Sequence, residues 1–142
     1  MTDARDAVHA ARLALDCLDL TSLNVDDDEA AIARLCERAI GRSRHPLGPV
    51  AAVCVWPRFV RVARRLLPEP LRVAAVANFP EGGLDVARAV AEASMILADG
   101  GDEVDLVLPY RALLAGLHCD AAALVEAVRR ATEGRILKLI LE

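Results

Sequence analysis

The chain has 142 residues, 55% of them apolar, enough to bury a real core and too many for a disordered polymer. Arg, Asp or Glu breaks every apolar run before the roughly 18–20 residues of a membrane span, and the start MTDARDAVHA lacks the basic-then-apolar pattern of a secretory signal, so the cytoplasm is the expected compartment. A net charge of −4 with only 3% aromatic residues offers neither a basic stripe nor stacking platforms, and no nucleic-acid partner is expected.

Residues 2–16 carry Val8, Ala11 and Leu15 at helical spacing, and a short strand is expected at 18–23. Asn24-Val-Asp-Asp-Asp reads as a helix start, with acids in the first turn of a helix reaching about 42. Its apolar positions Ile32, Leu35, Cys36 and Ala39 share one face. The loop 43–49 holds two prolines and a glycine. Residues 50–56 form an almost continuous apolar run, the mark of a strand buried on both faces. Pro57 ends it and opens a helix to about 67. A third strand is expected at 72–77, followed by the turn-rich Asn78-Phe-Pro-Glu-Gly-Gly. A helix over 84–99 closes at Gly100-Gly101, and a fourth strand runs over 103–108. Pro109 opens a helical region, Cys119 or Asp120 caps a further helix to about 132, and 135–142 reads as a fifth strand.

Cys17, Cys36, Cys54 and Cys119 form no C-x-x-C pair, and His9, His45 and His118 show no ligand spacing, so no metal site is expected. Of the 17 basic residues, Lys138 is the only lysine. A chain that uses arginine wherever a surface cation will do has placed its one lysine where arginine would not serve.

Single helices alternating with buried strands imply a parallel α/β sheet with right-handed crossovers. Two architectures fit: a five-strand doubly wound domain of flavodoxin type, or the first five strands of a TIM (β/α)8 barrel. The last strand has no covering helix after it, and an exposed apolar edge is a liability that complete folds avoid. This favours an incomplete barrel of about five parallel strands, with residues 1–142 as the N-terminal part of one (β/α)8 domain truncated after strand five.

Strand alternation divides the polar residues between two faces. Leu137, Leu139 and Leu141 suit packing under helices, which turns Ile136, Lys138, Ile140 and Glu142 inward. Val104, Leu106 and Leu108 likewise leave Glu103, Asp105 and Val107 facing the interior. Asp105 and Lys138 then become neighbours on consecutive strands. They are either a structural ion pair or a proton-transferring carboxylate beside an amine whose pKa desolvation lowers. Because buried pairs seldom add net stability, the functional reading is preferred. Asp19 faces inward as well, with a capping role equally open. Cys54, midway along the second strand, is read first as a small buried hydrophobe.

Five segments occur in order at fitting spacing: Asp19-Leu-Thr-Ser-Leu-Asn, Ala52-Val-Cys-Val-Trp-Pro-Arg-Phe, Asn78-Phe-Pro-Glu-Gly, Asp102-Glu-Val-Asp-Leu-Val-Leu-Pro-Tyr-Arg-Ala-Leu and Leu137-Lys-Leu-Ile-Leu-Glu. As a series, from about residue 12 to the end, they resemble deoxyribose-phosphate aldolase, a class I (imine-forming) aldolase on a TIM barrel. The resemblance implies reversible cleavage of 2-deoxy-D-ribose 5-phosphate to glyceraldehyde 3-phosphate and acetaldehyde through a lysine imine, with no metal or organic cofactor. It implies that Asp105 is the proton donor and acceptor on strand four. It also implies that Asp19 and Cys54 line the substrate region, and that Lys138 stands close to the site without forming the imine. The family's imine lysine, second catalytic lysine and phosphate loops lie on strands six to eight, for which this sequence has no counterpart.

Three functions follow as expectations. One is an aldolase portion, inactive alone, whose complete form takes a small sugar phosphate. The second is a non-catalytic half-barrel that pairs with itself as a homo-oligomer or with a complementing C-terminal fragment. The third places an imine on Lys138 itself, a lone lysine beside a carboxylate being a plausible nucleophile.

Overall fold

In the computed structural model, which describes residues 4–41 and 48–141, the apolar runs become the strands of one parallel sheet. In chain order the elements are α1 (Ala4–Asp16), β1 (Asp19–Thr21), α2 (Glu29–Ile40), β2 (Ala52–Val55), α3 (Val60–Leu66), β3 (Arg72–Ala77), α4 (Val86–Ala98), β4 (Glu103–Val107), α5 (Tyr110–Leu114), α6 (His118–Ala131) and β5 (Ile136–Ile140). Most of the expected loop 43–49, His45 with it, and Glu142 lie outside the described residues.

Local chemistry sets the boundaries. The Asp28 carboxylate accepts the Ala31 N–H at 2.7 Å and caps α2, and Gly41 ends that helix in the left-handed conformation at φ 72°. The helix therefore starts later than the acid-rich run from Asn24 suggested. Asp27 turns back instead, accepting from the Ser22 hydroxyl at 2.8 Å and from the Asn24 N–H at 3.0 Å. Short polar side chains bonded to nearby backbone in this way compete with helix. Asp85 caps α4 through the Arg88 N–H at 2.9 Å. Pro57 opens a single 3-10 turn, Pro57–Phe59, that runs into α3. Neither Cys119 nor Asp120 caps α6; the helix begins one residue earlier, at His118, with no side-chain cap.

The sheet order is β1-β2-β3-β4-β5, every pair parallel. A flavodoxin-type sheet would place strand two outside strand one and helices on both faces. Here the main core lies on one face only. Val53, Val55, Val73, Ala75, Ala77, Val104 and Leu106 of the sheet pack with Ile32 and Leu35 of α2, Val60 and Ala63 of α3, Ala89, Ala93 and Ile96 of α4, and Leu124 and Val128 of α6. Among the described residues the other face carries a small cluster of Cys54, Ala74 and Val76 with Leu23, Trp56, Phe79 and Ile140 against it, and no helix packs on that cluster. Sequential strands with helices on one side are the winding of a (β/α)8 barrel, and the fold is five parallel strands of that architecture.

Curvature confirms the winding. Four steps of about 4.8 Å would hold β1 and β5 about 19 Å apart in a flat sheet, beyond the reach of two side chains. Yet Lys138 on β5 is ion-paired with Asp19 on β1, so the sheet curls until its first and fifth strands face each other, as opposite strands of an eight-stranded barrel do.

Leu106 is wholly buried and Leu139 is 41% exposed. We expect Leu106→Ala to cost about 2–5 kcal/mol in urea unfolding. Leu139→Ala should cost well under half of that. Equal costs would contradict the difference in burial between β4 and the outer strand β5 on the helix-facing side of the sheet.

Candidate active site

The concave face has a polar layer at mid-height. Register places Val76 beside Asp105 and Asp105 beside Lys138, and alternation turns Glu103, two residues before Asp105, to the same side. The Lys138 ammonium donates a hydrogen bond to Asp19 and is ion-paired with Glu103 at 3.0 Å and Asp105 at 3.0 Å. The second oxygen of Glu103 takes the Arg72 guanidinium at 3.1 Å. Cys54 donates its thiol to Asp105 Oδ2 at 3.5 Å. All four residues expected to carry the site (Asp19, Cys54, Asp105 and Lys138) therefore converge. Glu103 joins them, and its signal in the sequence was its position two residues from Asp105 on a buried strand.

Electrostatics follows from this packing. Burial pushes the Asp105 carboxyl above its ordinary value of 3.8; hydrogen bonding and attraction from Lys138 and the Cys54 hydrogen bond oppose the rise, and the Asp19 charge adds to it. One carboxylate oxygen, Oδ1, is buried without a well-formed hydrogen bond despite its closeness to the ammonium. Asp105 is thus poised to hold a proton at higher pH than an exposed aspartate. Burial also raises the Cys54 thiol, with the Asp105 charge adding to the effect, so it is a neutral donor rather than a thiolate.

Lys138 departs from the expected direction. Desolvation does lower its pKa, but hydrogen bonds to Asp19, Glu103 and Asp105 together outweigh that and leave it above the ordinary 10.5. One carboxylate set against burial would leave the amine lowered; the fold supplies three. An amine held protonated is a poor nucleophile, which counts against an imine on Lys138.

Above the polar layer, at the carboxyl ends of β3, β4 and β5, opens a cavity of about 440 Å³ lined by Phe79, Val107, Tyr110, Arg111 and Ile140 among others. Val107 and Ile140 stand one inward position above Asp105 and Lys138. The Phe79 ring meets Trp56 edge-on, with centroids 5.3 Å apart. Ligands of parallel α/β folds bind at this end of the strands. The layer can hold and move a proton beneath a small mouth of mixed lining, with Glu81 and Arg111 beside the apolar groups. Among the described residues no group of His, Cys, Asp and Glu is arranged to hold a metal ion, and no helix is long and apolar enough to cross a membrane.

The cluster predicts opposite outcomes for two substitutions. Ionised Asp105 costs folding energy, because its folded pKa lies above its unfolded one. That cost is absent in acid and grows as pH rises through and beyond 3.8. Asp105→Asn should be at least as stable as wild type at pH 7, with an advantage in thermal unfolding that shrinks toward pH 3. Lys138→Met leaves Asp19 and Asp105 without their counter-charge and Glu103 with Arg72 alone. It should cost about 2 kcal/mol, below the roughly 3–5 kcal/mol of a fully buried broken pair because the Lys138 side chain is 36% exposed. A destabilised Asp105→Asn whose deficit does not change with pH would contradict this charge balance.

A family model described as DeoC/LacD family aldolase matches residues 13–142. A deoxyribose-phosphate aldolase of Agrobacterium fabrum is 46% identical over 136 residues, which make up 94% of this chain and 51% of that protein. A solved structure assigned as a deoxyribose-phosphate aldolase, from Coccidioides immitis, superposes with a TM-score of 0.82 at 31% identity, covering 92% of this chain and 49% of its own. The tetrameric deoxyribose phosphate aldolase of Aeropyrum pernix shares the fold at 19% identity, with a TM-score of 0.69 over 99% of this chain and 60% of its own. The chain spans about half the length of the curated relative it matches.

Proposed function

The chain belongs to the DeoC/LacD family of aldolases, and from that premise we propose that residues 1–142 are the N-terminal part of a single deoxyribose-phosphate aldolase domain. The reaction is reversible cleavage of 2-deoxy-D-ribose 5-phosphate to glyceraldehyde 3-phosphate and acetaldehyde, carried out without a metal or organic cofactor in the cytoplasm. Asp105 transfers the proton, and Asp19, Cys54 and Lys138 line the substrate region. The observation that carries this reading is the buried Asp105 carboxyl, raised above its ordinary value and 3.0 Å from an ammonium, directly below an open mouth.

In this arrangement Lys138 has an electrostatic role. Its protonated amine sets how readily Asp105 gives or takes a proton, and together with the Cys54 thiol it holds that carboxylate in place. The imine-forming lysine and the phosphate loops belong to strands six to eight of the family pattern, so the 142-residue chain by itself is expected to be inactive. The test is cleavage of 2-deoxy-D-ribose 5-phosphate by the purified chain, followed by detection of released acetaldehyde. We expect no turnover and no borohydride-trapped acetaldehyde adduct on Lys138. Sustained turnover by the chain alone, or an adduct on Lys138, would overturn the assignment of roles.

A second reading, association with a complementing chain, draws on the two outer strands. Nothing among the described residues pairs with the free sides of β1 and β5, and Leu139 on β5 and Leu141 just after it are 41% and 69% exposed. Charge and strand number favour a three-strand complement with inward-facing basic groups over a second copy. A copy would bring ten strands and double an interior that already sets three carboxylates against one ammonium. Mass in solution tests this reading: a well-behaved monomer at high concentration that also fails to bind a fragment supplying strands six to eight would remove it.

A further inference from the structure

Asn78 is the one non-glycine residue with positive φ among the described residues, at 55°, and only 3% of it is exposed. Such a conformation persists where the surroundings over-determine it, and it clusters at functional sites. Four elements meet at this residue. Its backbone N–H donates to Glu92 Oε2 of α4 at 2.7 Å, and its carbonyl accepts from the Gly82 N–H at 3.0 Å. Its side-chain amide donates both hydrogens, to the Gly83 carbonyl at 2.9 Å and to the Val107 carbonyl at the end of β4 at 3.1 Å.

The loop is pressed onto its neighbour as well as bonded to it. A Cβ at Gly82 would lie 2.5 Å from the Leu108 carbonyl oxygen and 3.2 Å from Tyr110 Cδ1, so only glycine permits this approach of the β3–α4 loop to the segment after β4. Phe79, the next residue, is an aromatic wall of the mouth, with Tyr110 also in its lining, and packs over Cys54, Ala74 and Val76. Its place is therefore set by a latch bonded to Val107, the inward residue directly above Asp105.

We propose that Asn78 is a positioning residue: its amide ties the β3–α4 loop to the end of β4 and thereby aims Phe79 across the mouth above Asp105 and Lys138. It controls the width through which a small substrate reaches the proton-transferring carboxylate. Only the nature of that substrate rests on the aldolase reading.

Trp56, the sole tryptophan, reports the position of Phe79 through their edge-on contact without any need for turnover, so failure of the aldolase reading would leave the test intact. Three variants of the full chain are compared with wild type. N78G keeps the backbone conformation and loses the amide. N78D keeps the size and loses the donors. F79L removes the ring that Trp56 meets. We expect N78G and N78D to retain the wild-type far-UV circular dichroism and a cooperative melt. Their Trp56 emission should shift to the red, and their acrylamide quenching should rise toward the F79L value. Wild-type emission and quenching in both Asn78 variants would overturn the proposal. Loss of the cooperative fold in both would overturn it too, since that outcome assigns Asn78 to general stability rather than to the placement of Phe79.

Discussion

One lysine ammonium surrounded by three carboxylates joins β1 to β4 and β5 across the concave face of the sheet. The chemistry of the site depends on that contact, and the curl of the strands is what makes it possible. A curled sheet brings the first and fifth strands opposite each other, and a long cationic side chain is what spans the gap. Lysine suits the place because a compact ammonium can turn its three protons toward three separate oxygens, whereas a planar guanidinium favours a paired fork. The arrangement leaves an excess of negative charge in the interior. The acids stabilise the ammonium and raise the Lys138 amine, while burial, with the Asp19 charge adding and Lys138 opposing, raises the Asp105 carboxyl.

The two faces of the sheet divide the work. The helix-facing side carries nearly all of the apolar core, with Val53, Val73, Val104 and Leu106 fully buried, and that packing holds the polar layer in register. The concave side carries little apolar burial and most of the titratable groups. Stability lost through ionised Asp105 is offset by the dry face behind it, a common division in barrels whose chemistry sits at the strand ends. Loops at those ends are fixed by specific bonds. Trp56 donates its indole N–H to the Asn24 carbonyl at 3.2 Å, and Asn78 secures the next loop.

Much of this was legible in the sequence, because a period of two is a strong signal on buried strands. Alternation alone placed Asp105, Lys138 and Glu103 on one side, and the spacing of strands and single helices indicated a parallel sheet. The contact of Asp19 with Lys138 could not be read that way. It depends on how far the sheet curls, which no local pattern encodes. The direction of the Lys138 shift was missed for the same reason, since its sign depends on counting acids contributed by β1 and β4 together. The start of α2 moved because Asp27 found closer partners in Ser22 and Asn24. The left-handed conformation of Asn78 was invisible because asparagine tolerates many turn geometries.

The central claim is that Lys138 is a held cation rather than a nucleophile, and having a single lysine makes it directly measurable. Selective labelling of lysine at Cε gives one side-chain resonance, which can be followed by NMR as pH is raised in the folded chain. The cluster predicts a resonance that stays at its protonated position through the ordinary lysine value of 10.5 and moves only above it or on unfolding. A midpoint below 10.5 in the folded protein would show that desolvation outweighs the three carboxylates, and would contradict the account.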